Sequence, residues 1–290
     1  MNKPFFNRSA AKLAWMALKA KRVRSSLTIL GISIGIAIVI TIMAAGRGLD
    51  YLIMGELEVF GSDTFTVEIK VPSTKKTSSE NASGQAQGVT ITTLKEKDLE
   101  DVSRHPGVAA AYGFIMGQEV VSYEGQNKTV MLIGEGYNVQ EVEKFELAEG
   151  RMYTEEEQDS LAQVAVLGWG VKEKFFGDNS AIGETIYIKG KTFRVVGVAE
   201  ERGAAFFLDM DNVILLPTKT MQRKILGVDY FQSIIGKFKD VNQANIVVRD
   251  LEEIVRLNHK IDDPDKDDFA VNTMEEAISI LGGIVGGITL

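Results

Sequence analysis

The clearest pattern along the chain is an uncharged apolar run near its N-terminus. Residues 25–46 lie between Arg24 and Arg47 and contain no charged side chain. A helix of about 20 apolar residues crosses a hydrocarbon core of about 30 Å. The run is too long for the apolar region of a signal peptide, and 24 residues precede it. It therefore predicts a transmembrane helix.

Small and hydroxylated residues within this run suggest how the helix behaves in lipid. The hydroxyls of Thr28, Ser33 and Thr41 can bond back to helix carbonyls. Gly31 and Gly35 are spaced as a small-xxx-small pair, which permits close approach of a second helix. The alternative is that glycine is simply common in membrane helices.

Charge on either side of the run predicts its orientation. Residues 1–24 carry seven Lys or Arg and no acid, whereas the other flank has Arg47 followed by Asp50, Glu56 and Glu58. Positive charge favours the cytoplasmic side, so the N-terminus is expected inside. Apolar positions before the run recur at helical spacing and predict an amphipathic helix along the inner leaflet of the bilayer. They are Phe6, Ala10, Leu13, Met16 or Ala17, and Ala20.

The last fourteen residues, 277–290, are again uncharged and rich in Gly and Ile. Fourteen residues do not comfortably span a bilayer. We expect them to begin a second transmembrane helix in a chain that continues further; the alternative is a short buried helix. Residues 47–276 would then form a large extracytoplasmic domain with both ends at one membrane face.

Strand and helix patterns in residues 47–276 predict an α+β domain. Strand, helix, strand patterns occur at its start and at its end, which suggests two βαβ-like halves paired in one layer with a β-rich subdomain inserted at about 137–228. The first half is predicted from strand Thr64–Val71, a polar loop at 72–88, a helix from Thr93 to His105, and strands Ala109–Met116, Gln118–Tyr123 and Thr129–Gly134. The insertion has helix Val139–Phe145, strand Gln163–Gly168, helix Trp169–Phe176, the hairpin Thr185–Lys189 with Lys191–Ala199, strand Asp211–Pro217 and helix Thr218–Ile225. The second half has strand Ser233–Phe238, helix Val241–Arg256 and strand Asp268–Asn272.

Composition excludes several kinds of chemistry. The net charge of -8 argues against nucleic acid as a partner. The absence of cysteine removes disulfides, thiolate catalysis and Cys-based zinc sites. The two histidines, His105 and His259, are far apart in sequence, and each lies near a predicted helix end. The sequence therefore offers few histidines for a metal site or for a nucleophile–base pair. We predict no catalytic residue, no metal and no cofactor.

Three polar motifs have a structural explanation that is favoured over a functional one. Asp263–Asp268 opens with calcium-loop spacing, but its sixth position is Asp268 and its twelfth Met274, so a solvated acidic loop is favoured. Glu155–Glu157 predicts an exposed helix start. Gly168-Trp-Gly lacks the third glycine of a dinucleotide fingerprint and is typical of a tight strand-to-helix turn.

One apolar stretch is a candidate contact surface. Phe206, Phe207 and Leu208 lie in a predicted loop between Arg202 and Asp209. They could contact a partner or substrate from an exposed patch, or they could pack into the core.

Four stretches together resemble the MacB/FtsX type of ABC transporter permease, with its MacB-like periplasmic core domain. They are Leu18–Gly35 (LKAKRVRSSLTILGISIG), Val164–Gly168 with Phe175–Gly177, Ile182–Val198 (IGETIYIKGKTFRVVGV), and the Gly-rich apolar run after Ser279. Each stretch alone is weak evidence for the resemblance. Together, their order and spacing are similar to those of the family over essentially the whole chain.

The resemblance implies a subunit with four transmembrane helices, a homodimer, and a cytoplasmic ABC ATPase as partner. This sequence has no G-x-x-x-x-G-K-[ST] motif, so the ATPase is expected on a separate polypeptide. The resemblance also implies transmission of ATP-driven motion to the outer domain, which in such proteins expels drugs or peptides, extracts lipoproteins or activates cell-wall hydrolases. A periplasmic adaptor (membrane-fusion) protein is a candidate outer partner, and the cell (inner) membrane is the expected location.

Two other functions compete with a permease. The first is a membrane-anchored sensor or scaffold that binds a ligand outside and has no ATPase partner. The second is an extracytoplasmic hydrolase, which ranks third because no Ser-His or Cys-His pairing is supported by the sequence.

Overall fold

The computed structural model describes residue 16 and residues 22–60, 63–72, 91–205, 208–274 and 276. Among the described residues, those up to Leu52 belong to one compact unit and those from Ile53 to residue 276 to another, and the two are described separately. The helices are α1 Arg22–Phe60, α2 Glu96–Ser103, α3 Val139–Val142, α4 Glu155–Asp159, α5 Trp169–Phe176, α6 Thr218–Thr220 continuing as a π-helix over Met221–Leu226, and α7 Ala244–His259. The strands are β1 Thr64–Ile69, β2 Val108–Tyr123, β3 Gln126–Glu135, β4 Leu147–Gly150, β5 Val164–Leu167, β6 Thr185–Ile188, β7 Lys191–Ala199, β8 Ala204–Ala205, β9 Leu208–Asp209, β10 Val213–Pro217, β11 Ser233–Phe238 and β12 Phe269–Thr273.

The two terminal halves of the outer domain interleave in one sheet. The strand order is β12-β1-β11-β2, and all three pairings are antiparallel. Each βαβ half therefore places its two parallel strands on either side of a strand from the other half, and α2 and α7 are the two connecting helices. We call these four strands with α2 and α7 the four-stranded layer. The predicted α+β fold class is confirmed.

Apolar side chains on one face of the four-stranded layer form its core. Alternate residues of β1, including Phe65 and Val67, point to that face because successive side chains on a strand face opposite ways. On α7, Val247, Leu251 and Val255 recur at helical spacing and are buried against them. The rings of Phe65 and Phe238 lie 4.9 Å apart in this core. The amphipathic stripe of α7 thus fixes the helix on the sheet.

Strand β2 continues from the four-stranded layer into a second part of the sheet. Its first half pairs with β11, and from Ile115 onward it pairs with β3. Beyond β3 the order is β10, β5, β7 and β4. We call these strands, with β6 and α3–α6, the inserted layer. Strands β5 and β10 are buried along their whole length, which suits their unbroken apolar sequences VAVL and VILLP.

The observed β2 differs from the two shorter strands that the sequence predicts. Gly117 does not interrupt the strand, since it pairs with Leu132 on β3. A Cβ atom at this position would lie 3.0 Å from the Leu226 side chain. The glycine therefore lets α6 approach the sheet, and it is a packing residue where the sequence suggested a break.

Helix α3 is shorter than the predicted Val139–Phe145. The helix ends at Val142, and Glu143 has extended backbone angles. The side chain of Glu143 turns into the protein and accepts a hydrogen bond from the hydroxyl of Tyr112 on β2. A buried tertiary contact therefore ends the helix where local pattern favours its continuation.

The motif Gly168-Trp-Gly forms the predicted turn between β5 and α5. Gly168 is the residue before the first turn of α5, and a Cβ atom there would lie 2.5 Å from the carbonyl oxygen of Asp211. The glycine is required by this close approach of two backbone segments. Likewise, Glu155–Glu157 begin a short exposed helix, where Thr154 and Glu157 form a capping box.

Candidate functional site

Helix α1 contains the predicted membrane span. It has 39 residues, so at about 1.5 Å per residue it is about 58 Å long. Within it, Ser26–Ala45 have a mean hydropathy of 2.5, and their side chains are exposed along the whole stretch. This segment is long and apolar enough to cross a bilayer, and lipid would cover the side chains that the fold leaves unburied.

Two of the three hydroxyls in the span form the predicted hydrogen bonds to carbonyls of their own helix. Thr28 Oγ1 donates to the carbonyl oxygen of Arg24 at 3.0 Å, and Thr41 Oγ1 donates to that of Ala37 at 2.8 Å. Cβ atoms at Gly31 and Gly35 would meet nothing within 4 Å among the described residues. Their role in helix packing therefore stays a prediction.

Helix α1 does not end with the apolar segment. It continues past Ala45 to Phe60, and β1 begins at Thr64. Only three residues separate the helix from the first strand of the four-stranded layer. The chain after the apolar segment is therefore helical as far as Phe60.

A cleft of about 440 Å³ separates the four-stranded layer from the inserted layer. Its walls are α2 on one side and α3, α4 and α6 on the other, and residues 109–113 of β2 line it between them. Lys219 on α6 joins the two walls, because its Nζ lies 3.2 Å from Glu96 Oε1 on α2 and 2.8 Å from Asp159 Oδ1 on α4. The contact between Lys219 and Glu96 is thus an ionic link between the two layers across the cleft.

Two further hydrogen bonds tie the inserted layer to the first half of β2. Thr218 Oγ1 donates to the carbonyl oxygen of Gly113 at 2.9 Å, and Asn138 Nδ2 donates to that of Ala111 at 3.1 Å. A third contact lies where β2 changes partners, since the side-chain amide of Gln232 bonds both the N–H and the carbonyl of Met116. The strand that joins the layers is fixed by side chains from both of them.

A buried charge cluster joins α2, α7 and β12. His259 Nδ1 lies 2.6 Å from Asp268 Oδ1, and His259 Nε2 lies 3.4 Å from Asp98 Oδ2. Asn258 Nδ2 donates to Asp98 Oδ1 and to Asp101 Oδ2, both at 3.0 Å. Burial lowers the pKa of His259, but the hydrogen bonds and charges of Asp268 and Asp98 outweigh it and raise this pKa to about 9. The imidazole is therefore a cation at neutral pH.

Two acids of this region are buried where the sequence predicts a solvated loop. The prediction for Asp263–Asp268 is wrong for Asp267 and Asp268, which are both buried. Asp267 accepts two hydrogen bonds from Arg256, at 2.9 and 2.7 Å, and Asp268 pairs with His259. Both partners lie on α7, so no local pattern in the loop reveals them. These carboxylates hold the end of α7 and are already occupied by protein cations.

A second buried group of polar residues lies in the core beneath α3. Glu135 and Glu143 are 5% and 8% exposed among mainly apolar side chains. Tyr112 donates to Glu143, and the Tyr153 hydroxyl oxygen lies 3.1 Å from the carbonyl oxygens of Glu135 and Leu216. Burial, together with the charge of Glu143, raises the pKa of Glu135 to about 8. The sequence does not reveal this pair, because each glutamate taken alone is typical of an exposed position.

The apolar stretch predicted as a contact surface is only partly described. Phe206 and Phe207 lie outside the described residues. The backbone of Leu208 begins β9, which pairs with β8 as a short antiparallel ladder. Residues 277–290 and most of residues 1–21 also lie outside the described part of the chain, so the second span and the amphipathic helix stay predictions.

The fold and the apolar helix define a class of protein: a mixed α/β extracytoplasmic domain attached to a candidate membrane span. The family model of the MacB-like periplasmic core domain matches residues 25–254. The chain is 32% identical over 270 residues to the macrolide export ATP-binding/permease protein MacB of Chlorobium luteolum, which covers 92% of this chain. It therefore belongs to the MacB-like family of ABC transporter permeases.

Other similarities agree with this family. The chain is 28% identical to the MacB protein of Vibrio parahaemolyticus over 96% of its own length. It spans 39% of the Chlorobium protein and 43% of the Vibrio one, about two fifths of either relative. Its fold is similar to the periplasmic region of MacB from Actinobacillus actinomycetemcomitans, with a TM-score of 0.64, 22% identity, and coverage of 78% of this chain and 95% of that one. It is also similar to the extracellular domain of the ABC-type transporter YknZ from Gram-positive bacteria, with a TM-score of 0.57, 18% identity, and coverage of 72% and 100%.

Proposed function

We propose that this chain is a permease subunit that carries ATP-driven motion across the membrane to its extracytoplasmic domain. The observation that supports this most is α1, a single helix from Arg22 to Phe60 that contains the apolar segment and is separated from β1 by three residues. A displacement of a helix at one membrane face reaches the other face when no flexible segment intervenes. Membership of a permease family supports the same role.

The proposed arrangement follows the charge pattern of the sequence. Residues 1–24 lie in the cytoplasm, residues 25–46 cross the membrane, residues 47–276 lie outside, and residues 277–290 enter the membrane again. The subunit forms a homodimer and has no catalytic residue of its own. The curated MacB relatives are named as ATP-binding/permease proteins, and we propose that a separate cytoplasmic ABC ATPase supplies the energy for this subunit.

The exported substrate is proposed only as a class. The curated relatives are named for macrolide export, so drugs are one candidate class, with peptides and lipoproteins as the others. A periplasmic adaptor protein is the proposed outer partner. The cleft between the two layers is the part of the described outer domain whose shape would change if the layers moved about β2.

The proposal is tested by reconstituting the full chain in lipid vesicles with the ABC ATPase encoded beside its gene. We expect the two proteins to purify together and the ATPase rate to differ severalfold from that of the ATPase alone, because a permease dimer couples to the closing of its ATPase. A membrane-anchored sensor without an ATPase partner would neither copurify nor change the rate. An unrelated ABC ATPase of the same cell serves as the matched control.

A further inference from the structure

The Glu135–Glu143 pair lies at the junction of the two layers of the outer domain. Glu135 is the last residue of β3, and Glu143 follows α3, which is one wall of the cleft. The hydrogen bond from Tyr112 to Glu143 runs from β2 to this wall. Tyr112 itself also lines the cleft. Whatever loosens this contact therefore changes how α3 is held against β2.

Three ionisable side chains from neighbouring segments act on the pair among the described residues. The groups that act on the two carboxyls are Tyr112 from β2, Tyr153 from the segment after β4, and Arg202 from the segment after β7. Arg202 is the cation of the group, and its guanidinium carbon lies 5.6 Å from the ring of Phe145. Its Nη2 atom is buried and has no hydrogen-bond partner in the described part of the chain.

Two carboxyls and one guanidinium are electrically neutral only when the pair holds one proton. Loss of that proton would leave a net negative charge among apolar side chains, which is costly unless the structure opens to water. The hydrogen bond from Tyr112 favours the charged form of Glu143, so the proton belongs on Glu135. Two like charges would then repel each other in this core, and one of them is carried by Glu143, the residue that directly follows α3.

We propose that the Glu135–Glu143 pair is a proton-controlled latch, which keeps α3 docked on β2 while one proton is bound and releases it, opening the cleft, when that proton leaves. This role does not depend on the ATPase or on the transported substrate. It makes the geometry of an extracytoplasmic domain respond to the pH outside the cell. Burial raises the pKa of Glu135 to about 8, which puts the change within the range that the outer face of a membrane can experience.

The latch is tested by measuring the width of the cleft against pH. The chain contains no cysteine, so a Ser103→Cys, Glu141→Cys variant takes spin labels at two exposed cleft-lining positions only, one near the end of α2 and one on α3. In the full chain in detergent micelles, we expect the distance between the labels to lengthen or broaden as pH rises through about 8. An unchanged distribution between pH 6.5 and 9.5 would overturn the proposal.

Three added substitutions separate the latch from a general effect of pH. Glu135→Gln mimics the protonated acid, so the distance should stay at its low-pH value throughout. Arg202→Gln removes the compensating cation, and the transition should move to higher pH. If Glu135→Gln does not fold, the shift in Arg202→Gln tests the latch instead. Glu146→Gln changes an exposed carboxyl of the same segment and should leave the transition where it was. A transition that is unmoved by both Glu135→Gln and Arg202→Gln would contradict the latch.

Discussion

Replacing His259 with alanine is expected to destabilise the outer domain by about 3–5 kcal/mol, the cost of removing one partner from a buried ion pair. The side chain is 5% exposed and contacts the carboxylates of Asp98 and Asp268. Without the imidazolium these two acids remain close together with no histidine between them. The prediction is checked by denaturant unfolding of the full chain in detergent micelles, followed by hydrogen exchange of α7.

The same variant carries a pH signature. Because the folded pKa of His259 is raised to about 9 from 6.5, its contribution to stability is complete below about pH 6.5 and is lost as pH rises through about 9. The stability difference between wild type and His259→Ala should therefore shrink over that range. Leu257→Ala is the matched control on α7, since Leu257 is 70% exposed and should change stability by less than about 0.5 kcal/mol at any pH. A pH-independent cost for His259→Ala would contradict the assignment of a charged imidazole.

Placing proline at Gly48 is expected to abolish stimulation of the partner ATPase while leaving the outer domain folded. Gly48 lies in α1 just past the apolar segment. Proline in a helix interior removes a backbone hydrogen bond and kinks the helix, at a cost of about 3 kcal/mol. If α1 transmits motion, a kink at this point uncouples the two ends. The measurement is the ATPase rate of the reconstituted complex, with hydrogen exchange of the outer domain as the folding check.

Gly48→Ala is the control for that substitution. A Cβ atom at this position would meet nothing within 4 Å among the described residues, and alanine favours a helix over glycine by about 1 kcal/mol. The alanine variant should therefore stimulate the ATPase as the native chain does. Full stimulation by Gly48→Pro would show that α1 does not need to be straight, and the proposed transmission would fail.

Features with local causes were predictable from the sequence. The span depends on composition alone, and α7 on a regular apolar spacing. The hairpin at Lys189-Gly190 depends on turn chemistry, since both residues adopt positive φ angles that suit a two-residue turn. In each of these elements, residues that are close in sequence determine the structure, so the sequence pattern is sufficient to predict it.

Features that depend on distant contacts were not predictable. The sequence predicts a break between two strands at Gly117, whereas the glycine makes room for the side chain of Leu226. Glu143 ends α3 because Tyr112 on another strand holds its side chain. The ionic contact between Lys219 and Glu96, which joins the walls of the cleft, links residues far apart in sequence. Such pairings depend on the register and order of strands, which one sequence does not specify.

If ATP binding inside the cell moves the outer domain, the distance between the two outer domains of a homodimer should change when ATP binds. Gln126→Cys places one spin label per subunit at the exposed β2–β3 hairpin of a chain without other cysteines. In vesicles with the ATPase, we predict that the distance between the labels of the homodimer changes when ATP is bound and hydrolysis is blocked. The change should persist in Gly48→Ala and be lost in Gly48→Pro. An identical distance with and without ATP in the native chain would show that α1 does not transmit ATP-driven motion to the outer domain.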